Sequence, residues 1–159
     1  MVDISSHTIL TDAYEIHFQV LKINKSEGWI DFDCAIASPI CDKFSAYTSS
    51  RFSMSIHDLT RLQEYLYFIV NTPDDEDSFE GKSVIFVPLE YDISMEIRVI
   101  GDGVFTINLM LIFSLSPTRS YFGIESKVSG RALIAFRKYL SYLCDTHLGK
   151  PTRYKIHET

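Results

Sequence analysis

Apolar and polar residues alternate along the first part of the chain, which is the period of half-buried strands. Residues 14–22 form one such segment and residues 29–37 form a second. In the second segment, Asp31 and Asp33 are predicted to point outward. Its inward side chains are Ile30, Phe32, Cys34 and Ile36. Residues 43–54 predict a third strand, which is more polar and is therefore expected closer to a sheet edge.

The period changes over residues 55–71, where it predicts an amphipathic helix. The apolar positions at helical spacing are Leu59, Leu62, Leu66 and Ile69. Ser55, with Asp58 three residues later, is typical of a capping box at a helix start. Residues 71–73, which include a proline, are expected to end the helix.

The second part of the chain follows the same order of strands and then a helix. Strands are predicted over 83–87, 93–99, 105–115 and 121–128, with a hairpin turn at residues 101–103. Ser129 is expected to cap a helix whose apolar positions are Leu133, Phe136, Leu140 and Leu143. Gly149 and Pro151 lie where a helix C-terminus is expected.

The two halves resemble each other as a pseudo-repeat of residues 13–71 and 88–147. Any two units of strands followed by a helix would share this pattern, so a true duplication stays open. In either case the pattern predicts a single α+β domain over residues 1–159. We expect an antiparallel sheet of about six to eight strands with two amphipathic helices on one face, roughly βββα repeated twice.

The charge balance is acidic, with a formal net charge of −6 and a pI of about 5.3. Such a field repels phosphate backbones, so nucleic acid is not expected among the partners. A basic protein partner would suit the same charge. The most apolar stretch, residues 104–115, is too short to cross a bilayer, so no membrane association is expected either.

The start of the chain and its cysteines predict a cytoplasmic location. The first residues lack a basic segment followed by an apolar run, which an export signal would require. The cysteines Cys34, Cys41 and Cys144 are odd in number and show no CxxC spacing, so reduced thiols are the simplest interpretation.

Residue types that carry chemistry are present without the spacing that catalysis or metal binding needs. None of the five histidines forms an HExxH motif or pairs with a cysteine at zinc-ligand spacing. Asp31 and Asp33 share a strand face about 7 Å apart, which suits a metal, an acid/base pair or an ordinary solvated face, and the last is favoured. The sequence therefore predicts no catalytic residue, no metal site and no cofactor.

Two features are candidate partner-binding surfaces. The acidic segment Asp74, Asp75, Glu76 and Asp77, with Glu80 close behind, would attract a basic protein, although such runs are more often solvated loops. Tyr67 and Tyr142 fall outside the apolar stripes of their helices, which makes them interface candidates. These residues form the predicted binding site.

The order of motifs resembles the WapI-like immunity proteins of bacteria over roughly residues 14–145. The matching segments are residues 30–34, 44–46, 58–66, 88–93 and 121–143. The chain has Val128-Ser129-Gly130 where an Asp-Gln pair is typical of the family. The resemblance implies neutralisation of a cognate toxin, often a nuclease, by non-catalytic binding.

We therefore expect an immunity protein that occludes a basic toxin with an acidic, aromatic surface. The alternative is a small scaffold or self-associating module, for example a homodimer through a sheet edge. An enzyme would require a deep pocket with convergent titratable groups, for which the sequence offers the least support.

Overall fold

The computed structural model describes residues 5–38, 48–71, 82–90, 92–101, 103–112 and 121–148. Within them the chain forms four strands and a helix, and then repeats that order. The first unit consists of β1 (Ser6–Leu10), β2 (Glu15–Asn24), β3 (Trp29–Ala37), β4 (Thr48–Ser55) and α1 (Ile56–Val70). The second consists of β5 (Ser83–Phe86), β6 (Ile93–Gly101), β7 (Val104–Ile112), β8 (Tyr121–Ser129) and α2 (Gly130–Leu143), followed by a π-helical turn, Cys144–Leu148.

The strands form two antiparallel sheets, each with its strands in sequence order. The predicted α+β class, the antiparallel strands and the two packed helices are confirmed. The strands are divided between two sheets of four, whereas the expectation was one sheet. Alternation determines which side chains point inward but not which strand is the pairing partner, so it cannot distinguish these arrangements.

The strand β1 is an element that the pattern of hydrophobic residues does not reveal. It pairs with β2 from Ser6 opposite Gln19 to Leu10 opposite Glu15. Ile9 is its fully buried side chain, whereas Leu10 is exposed. One buried position in five residues is too short a pattern to distinguish a strand from a loop.

Both helices begin where their capping residues predict. The Ser55 side chain accepts a hydrogen bond from the Asp58 backbone N–H, and the Asp58 carboxylate accepts one from the Ser55 backbone N–H. At the second helix, the Ser129 hydroxyl accepts a hydrogen bond of 3.2 Å from the Ala132 backbone N–H. The predicted stop at Gly149 and Pro151 lies outside the described residues.

The core lies between the sheets and the helices and is rich in aromatic rings. Phe18 stacks on Phe136 of α2 with ring centroids 4.9 Å apart, and Phe32 stacks on Phe52 at 5.5 Å. Helix α1 packs on β4, β5 and β6, and α2 packs on β1 and β8. The inward positions that alternation predicts in β3 are those that the core buries.

Hydrogen bonds between the two units add to the packing of their helices. Thr11 bridges to Val128 of β8, next to a hydrogen bond of 3.0 Å from the Asp12 backbone N–H to the Lys127 carbonyl. The Ser50 hydroxyl of β4 donates to the Ile112 carbonyl of β7 at 3.0 Å. These contacts hold the two sheets in one body around the shared core.

Arg61 of α1 makes another connection between the units. Its guanidinium donates to the Val87 carbonyl at 2.5 Å and lies 5.2 Å from the centre of the Phe86 ring.

None of the helices in the described ranges is long and apolar enough to cross a membrane. Whether the units arose by duplication stays a prediction.

Candidate functional site

Each sheet turns one face to the helices and the other outward, and the outer face of the first sheet carries its polar residues. Along β3 the side chains of Trp29, Asp31 and Asp33 are half-buried, while those between them belong to the core. The strand register places Asp31 opposite Ser53 and Asp33 opposite Arg51. The β3 alternation predicted from the sequence therefore sets the composition of this face.

A depression of about 430 Å³ lies on this face around Trp29, and we call it the Trp29 depression. Its floor and sides come from β2, β3 and β4 and from the turn between β2 and β3. Glu90, from the turn before β6, also lines it, so both units contribute to it. The lining residues are Lys22, Asn24, Glu27, Trp29, Asp31, Ser53 and Glu90.

Hydrogen bonds within the Trp29 depression orient two of its carboxylates. The Ser53 hydroxyl donates to Oδ1 of Asp31 at 2.6 Å. The Asn24 amide donates to Oε2 of Glu27 at 2.7 Å. A carboxylate has two oxygens and roughly four acceptor positions, so both groups keep capacity for a ligand.

An irregularity in the sheet places a cation beside these carboxylates. The pairing of β2 with β3 shifts between Val20 and Lys22, and beyond the shift Lys22 lies opposite Asp31. Leu21, at the shift, is exposed. In the described part of the chain, Lys22 makes no ion pair within 4.0 Å, so its ammonium is available to a ligand.

The remainder of the two outer faces carries charges of both signs together with exposed apolar side chains, among them Leu10 on the first sheet and Ile85 on the second. On the first sheet, Nδ1 of His17 lies 2.8 Å from the Thr8 hydroxyl, and its Nε2 lies 3.3 Å from the Glu15 carboxylate. On the second sheet, Arg98 pairs with Glu96 at 3.0 Å. Lys127 is also exposed on the second sheet, opposite Thr106 in the register.

The residues predicted as a partner-binding site are not brought together in the described structure. Asp74, Asp75, Glu76, Asp77 and Glu80 lie outside the described residues. The remaining two are on the helices, with Tyr67 on α1 and Tyr142 on α2.

Both tyrosines are exposed, Tyr67 to 43% and Tyr142 to 39%. The Arg137 guanidinium of α2 lies 4.7 Å from the centre of the Tyr67 ring, which joins the two helices at their surface. The helices cover the inner faces of the sheets, so this surface is separate from the Trp29 depression. An interface role for the two tyrosines stays a prediction.

Burial moves the pKa values of Cys34, Cys144 and His7 toward the neutral form. Burial raises the pKa of the Cys144 thiol to about 11 and raises that of Cys34 further. Burial lowers the pKa of His7, whose ring stacks on Phe136 and Tyr139. In the folded protein these three side chains favour their neutral forms, and they contribute to packing.

Metal ligands do not cluster in the part of the chain that the structure describes. No group of three or more histidine, cysteine, aspartate or glutamate side chains is placed to hold an ion there. Asp31 and Asp33 share a face, as predicted, and Asp31 accepts the Ser53 hydroxyl. The absence of a metal or cofactor in the functional state stays a prediction.

Of the residues that line this depression, the sequence predicts only Asp31 as a candidate, and the aromatic residue Trp29 is among those it misses. Its position was available from the pattern, because Ile30 points inward and its neighbour must therefore point outward. A large aromatic ring at an outward strand position is a signal for ligand contact. The contribution of Glu90 depends on how the two units meet, which the pattern does not reveal.

No family model matches the sequence, and no curated protein matches it. Solved structures do match the fold over nearly the whole chain. The plant transcriptional regulator PBF-2 has a TM-score of 0.52 and 11% sequence identity, covering 90% of this chain and 81% of that one. WHY3 from Arabidopsis thaliana has a TM-score of 0.50 and 13% identity, covering 90% of this chain and 87% of that one.

These matches overturn the functional prediction drawn from the resemblance to immunity proteins. The fold is shared with a plant transcriptional regulator, so toxin neutralisation and a basic toxin partner are wrong. The alternative, a self-associating scaffold, does not fit the matches either. The resemblance to WapI-like proteins itself is not tested and stays a prediction.

The exclusion of nucleic acid is also wrong, for a physical reason. Net charge sums over the whole chain, whereas a ligand responds to the field at the surface that it contacts. Five acidic residues lie within the short segment 74–80, which contains no lysine or arginine. The rest of the chain is close to neutral, so the net charge of −6 does not describe the outer faces of the sheets.

Proposed function

We propose that this protein binds single-stranded nucleic acid along the outer faces of its two sheets, as a non-catalytic regulator of nucleic-acid function. The observation that carries the proposal is the fold similarity to the plant transcriptional regulator PBF-2 over 90% of the chain. At 11% identity this similarity concerns the fold. The assignment of a surface therefore depends on the side chains of this chain.

The exposed groups favour a single strand over a duplex. Duplex recognition commonly places a helix in the major groove, but α1 and α2 lie side by side with their apolar faces in the core. An open sheet face with a partly exposed aromatic ring suits unpaired bases, which stack on such rings. Trp29 supplies that ring on the outer face of the first sheet.

Cations on both outer faces support backbone contacts. Lys22 and Arg51 lie on the first sheet, and Arg98 and Lys127 lie on the second. Phosphate contacts from a few scattered lysines and arginines give moderate affinity with a shallow salt dependence. Stacking and base contacts then contribute a larger share than in a strongly basic protein.

We also propose a cytoplasmic site of action. Both cysteines in the described ranges, Cys34 and Cys144, are free thiols enclosed in the core. Free thiols of this kind are common in reducing compartments.

The test is fluorescence anisotropy with a labelled single strand of roughly 16 nucleotides, a length that spans one or two domain-sized sites. The same strand annealed to its complement is the competitor. We expect the single strand to bind and the duplex to compete poorly. Equal binding of both forms, or binding of neither, would contradict the proposal.

A matched pair of lysine variants tests the location. Lys127→Ala removes a cation from the outer face of the second sheet, and Lys138→Ala removes one from the exposed side of α2. We expect the first to weaken binding and to reduce the slope of log K against log salt by about 0.7, the value for one single-strand phosphate contact. The second should leave both quantities unchanged, and the opposite ranking would assign the interface to the helices.

A further inference from the structure

The Trp29 depression brings together an indole ring, three carboxylates and one ammonium group. A site for phosphate alone would not contain three carboxylates, because they repel an anion. A site for a cation alone would not contain Lys22. The combination calls for a neutral ligand that donates hydrogen bonds and also accepts one.

Hydrogen bonds orient two of the three carboxylates. Ser53 fixes Asp31 through a hydrogen bond of 2.6 Å, and Asn24 fixes Glu27 through one of 2.7 Å. Since these donors occupy one oxygen of each carboxylate, the orientation of the other oxygen is set as well. Preorganised acceptors discriminate against ligands that lack matching donors.

Lys22 lies on the strand next to one of these carboxylates. Lys22 is directly opposite Asp31 in the register of β2 and β3, and directly opposed side chains have Cβ atoms about 5 Å apart. An ammonium has three donors and no acceptor, so it recognises an acceptor atom of the ligand. The depression therefore presents acceptors with a donor beside them.

Among the nucleobases, guanine has the complementary edge. Its N1–H and N2 amino group are adjacent donors, and its O6 acceptor follows on the same edge. Adenine and cytosine offer one amino group next to an acceptor nitrogen, and thymine and uracil offer one N–H between two carbonyls. We propose that the Trp29 depression is a subsite for one unpaired guanine of a bound strand, a proposal that rests on the proposed function.

In this subsite each group has one role. The Trp29 ring stacks on the base, the Asp31 and Glu27 carboxylates accept from N1–H and the N2 amino group, and Lys22 donates to O6. Glu90, from the second unit, closes the edge of the depression and adds a further acceptor. A single unpaired base is of a size to occupy a depression of about 430 Å³ together with water.

The test uses thymidine strands of roughly 12 nucleotides with one central base replaced by dG, dI or dA. Hypoxanthine, the base of dI, keeps N1–H and O6 of guanine and lacks the N2 amino group. We expect the dG strand to bind about tenfold more tightly than the dA strand, the size of one good base contact. The dI strand should fall between them.

Two aspartate variants on the same strand provide the control. Asp31→Asn changes a lining carboxylate and should remove the preference for dG over dA. Asp33→Asn makes the same change two residues along β3, on the same face and outside the depression, and should preserve the preference. Glu27→Gln, in a surface turn, is the second lining variant, so that a folding defect in one variant does not decide the result.

Each outcome decides for or against the guanine subsite. Equal affinity for the dG, dI and dA strands overturns it and leaves the proposed function standing. If no strand binds, the proposed function fails, and a titration with guanosine and adenosine monophosphates, monitored by Trp29 fluorescence, decides the subsite alone. A third result would assign the depression to a basic protein segment. In that case an arginine-rich peptide quenches Trp29 fluorescence in the unchanged protein but not in Asp31→Asn, and guanosine monophosphate quenches it in neither.

Discussion

At the scale of single residues, a buried carboxylate links the start of α1 to the second unit. Asp58 is 2% exposed and accepts hydrogen bonds from the Ser55 backbone and hydroxyl and from the Arg61 guanidinium. Arg61 in turn donates to the Val87 carbonyl next to β5. Removing the carboxylate leaves several donors without their acceptor.

Asp58→Ala is therefore expected to lower the free energy of unfolding by about 2–3 kcal/mol, because one half of the capping box and a charged hydrogen bond are lost together. Urea denaturation followed by circular dichroism measures the effect. Ser129→Ala removes only the exposed cap of α2 and should cost about 1 kcal/mol. Equal losses in the two variants would show that the link through Arg61 contributes nothing.

The enclosed thiols give a second prediction at this scale. Burial raises the pKa of Cys144 to about 11, and the thiolate is the reactive form. At pH 8 the group stays protonated, so its reactivity should increase only as the pH rises toward that value.

We expect the Cys41→Ser variant, which leaves only Cys34 and Cys144, to react slowly with Ellman's reagent at pH 8. In denaturant both thiols should react at once, because unfolding restores ordinary pKa values. Rapid reaction of the native variant would show that one of these thiols is accessible. Cys41 lies outside the described residues and is replaced so that it does not contribute.

At the scale of elements, hydrophobic alternation predicts the strands and helices far better than their pairing. The segment 55–71 corresponds to α1 with its caps, and Leu133, Phe136, Leu140 and Leu143 face the core from α2 as expected. The hydrophobic pattern does not predict strand β1, because only one of its five side chains is buried. The pattern also does not predict the division into two sheets, because the period of one strand does not determine which other strand pairs with it.

The packing of β1 against α2 predicts how stability depends on pH. Burial lowers the pKa of His7 below its usual value of 6.5, so the folded protein favours the neutral ring. As the pH falls below 6.5, the unfolded chain takes up this proton more readily than the folded one. The His7 contribution to stability is therefore intact above that pH and is lost as the pH falls through it.

His7→Phe keeps an aromatic ring on Phe136 and Tyr139 and removes the titration. We expect its urea midpoint to differ less between pH 7.5 and pH 5.5 than that of the unchanged protein. Comparison at the same two pH values cancels the contributions of the other groups. An identical pH dependence in the two proteins would show that His7 is not desolvated.

At the scale of the whole molecule, the proposed site depends on how the two units meet. The sequence places Asp31 and Asp33 on one outward face, and this is what the structure shows. It cannot reveal that Glu90 lines the same depression as Trp29, because this depends on how the two units pack together. The net charge of the chain does not predict the charge of the outer sheet faces, because much of the acidic excess belongs to the segment 74–80.

Trp29 is the single tryptophan of the chain, so its intrinsic fluorescence reports directly on the outer face of the first sheet. The most direct test of the account is to titrate the protein with a single strand and, separately, with the matched duplex while recording this emission. We predict that the single strand quenches Trp29 saturably, at the concentrations where anisotropy detects binding, and that the duplex does not. Unchanged emission at saturating single strand would place the nucleic acid elsewhere or show that none binds, and would contradict the account.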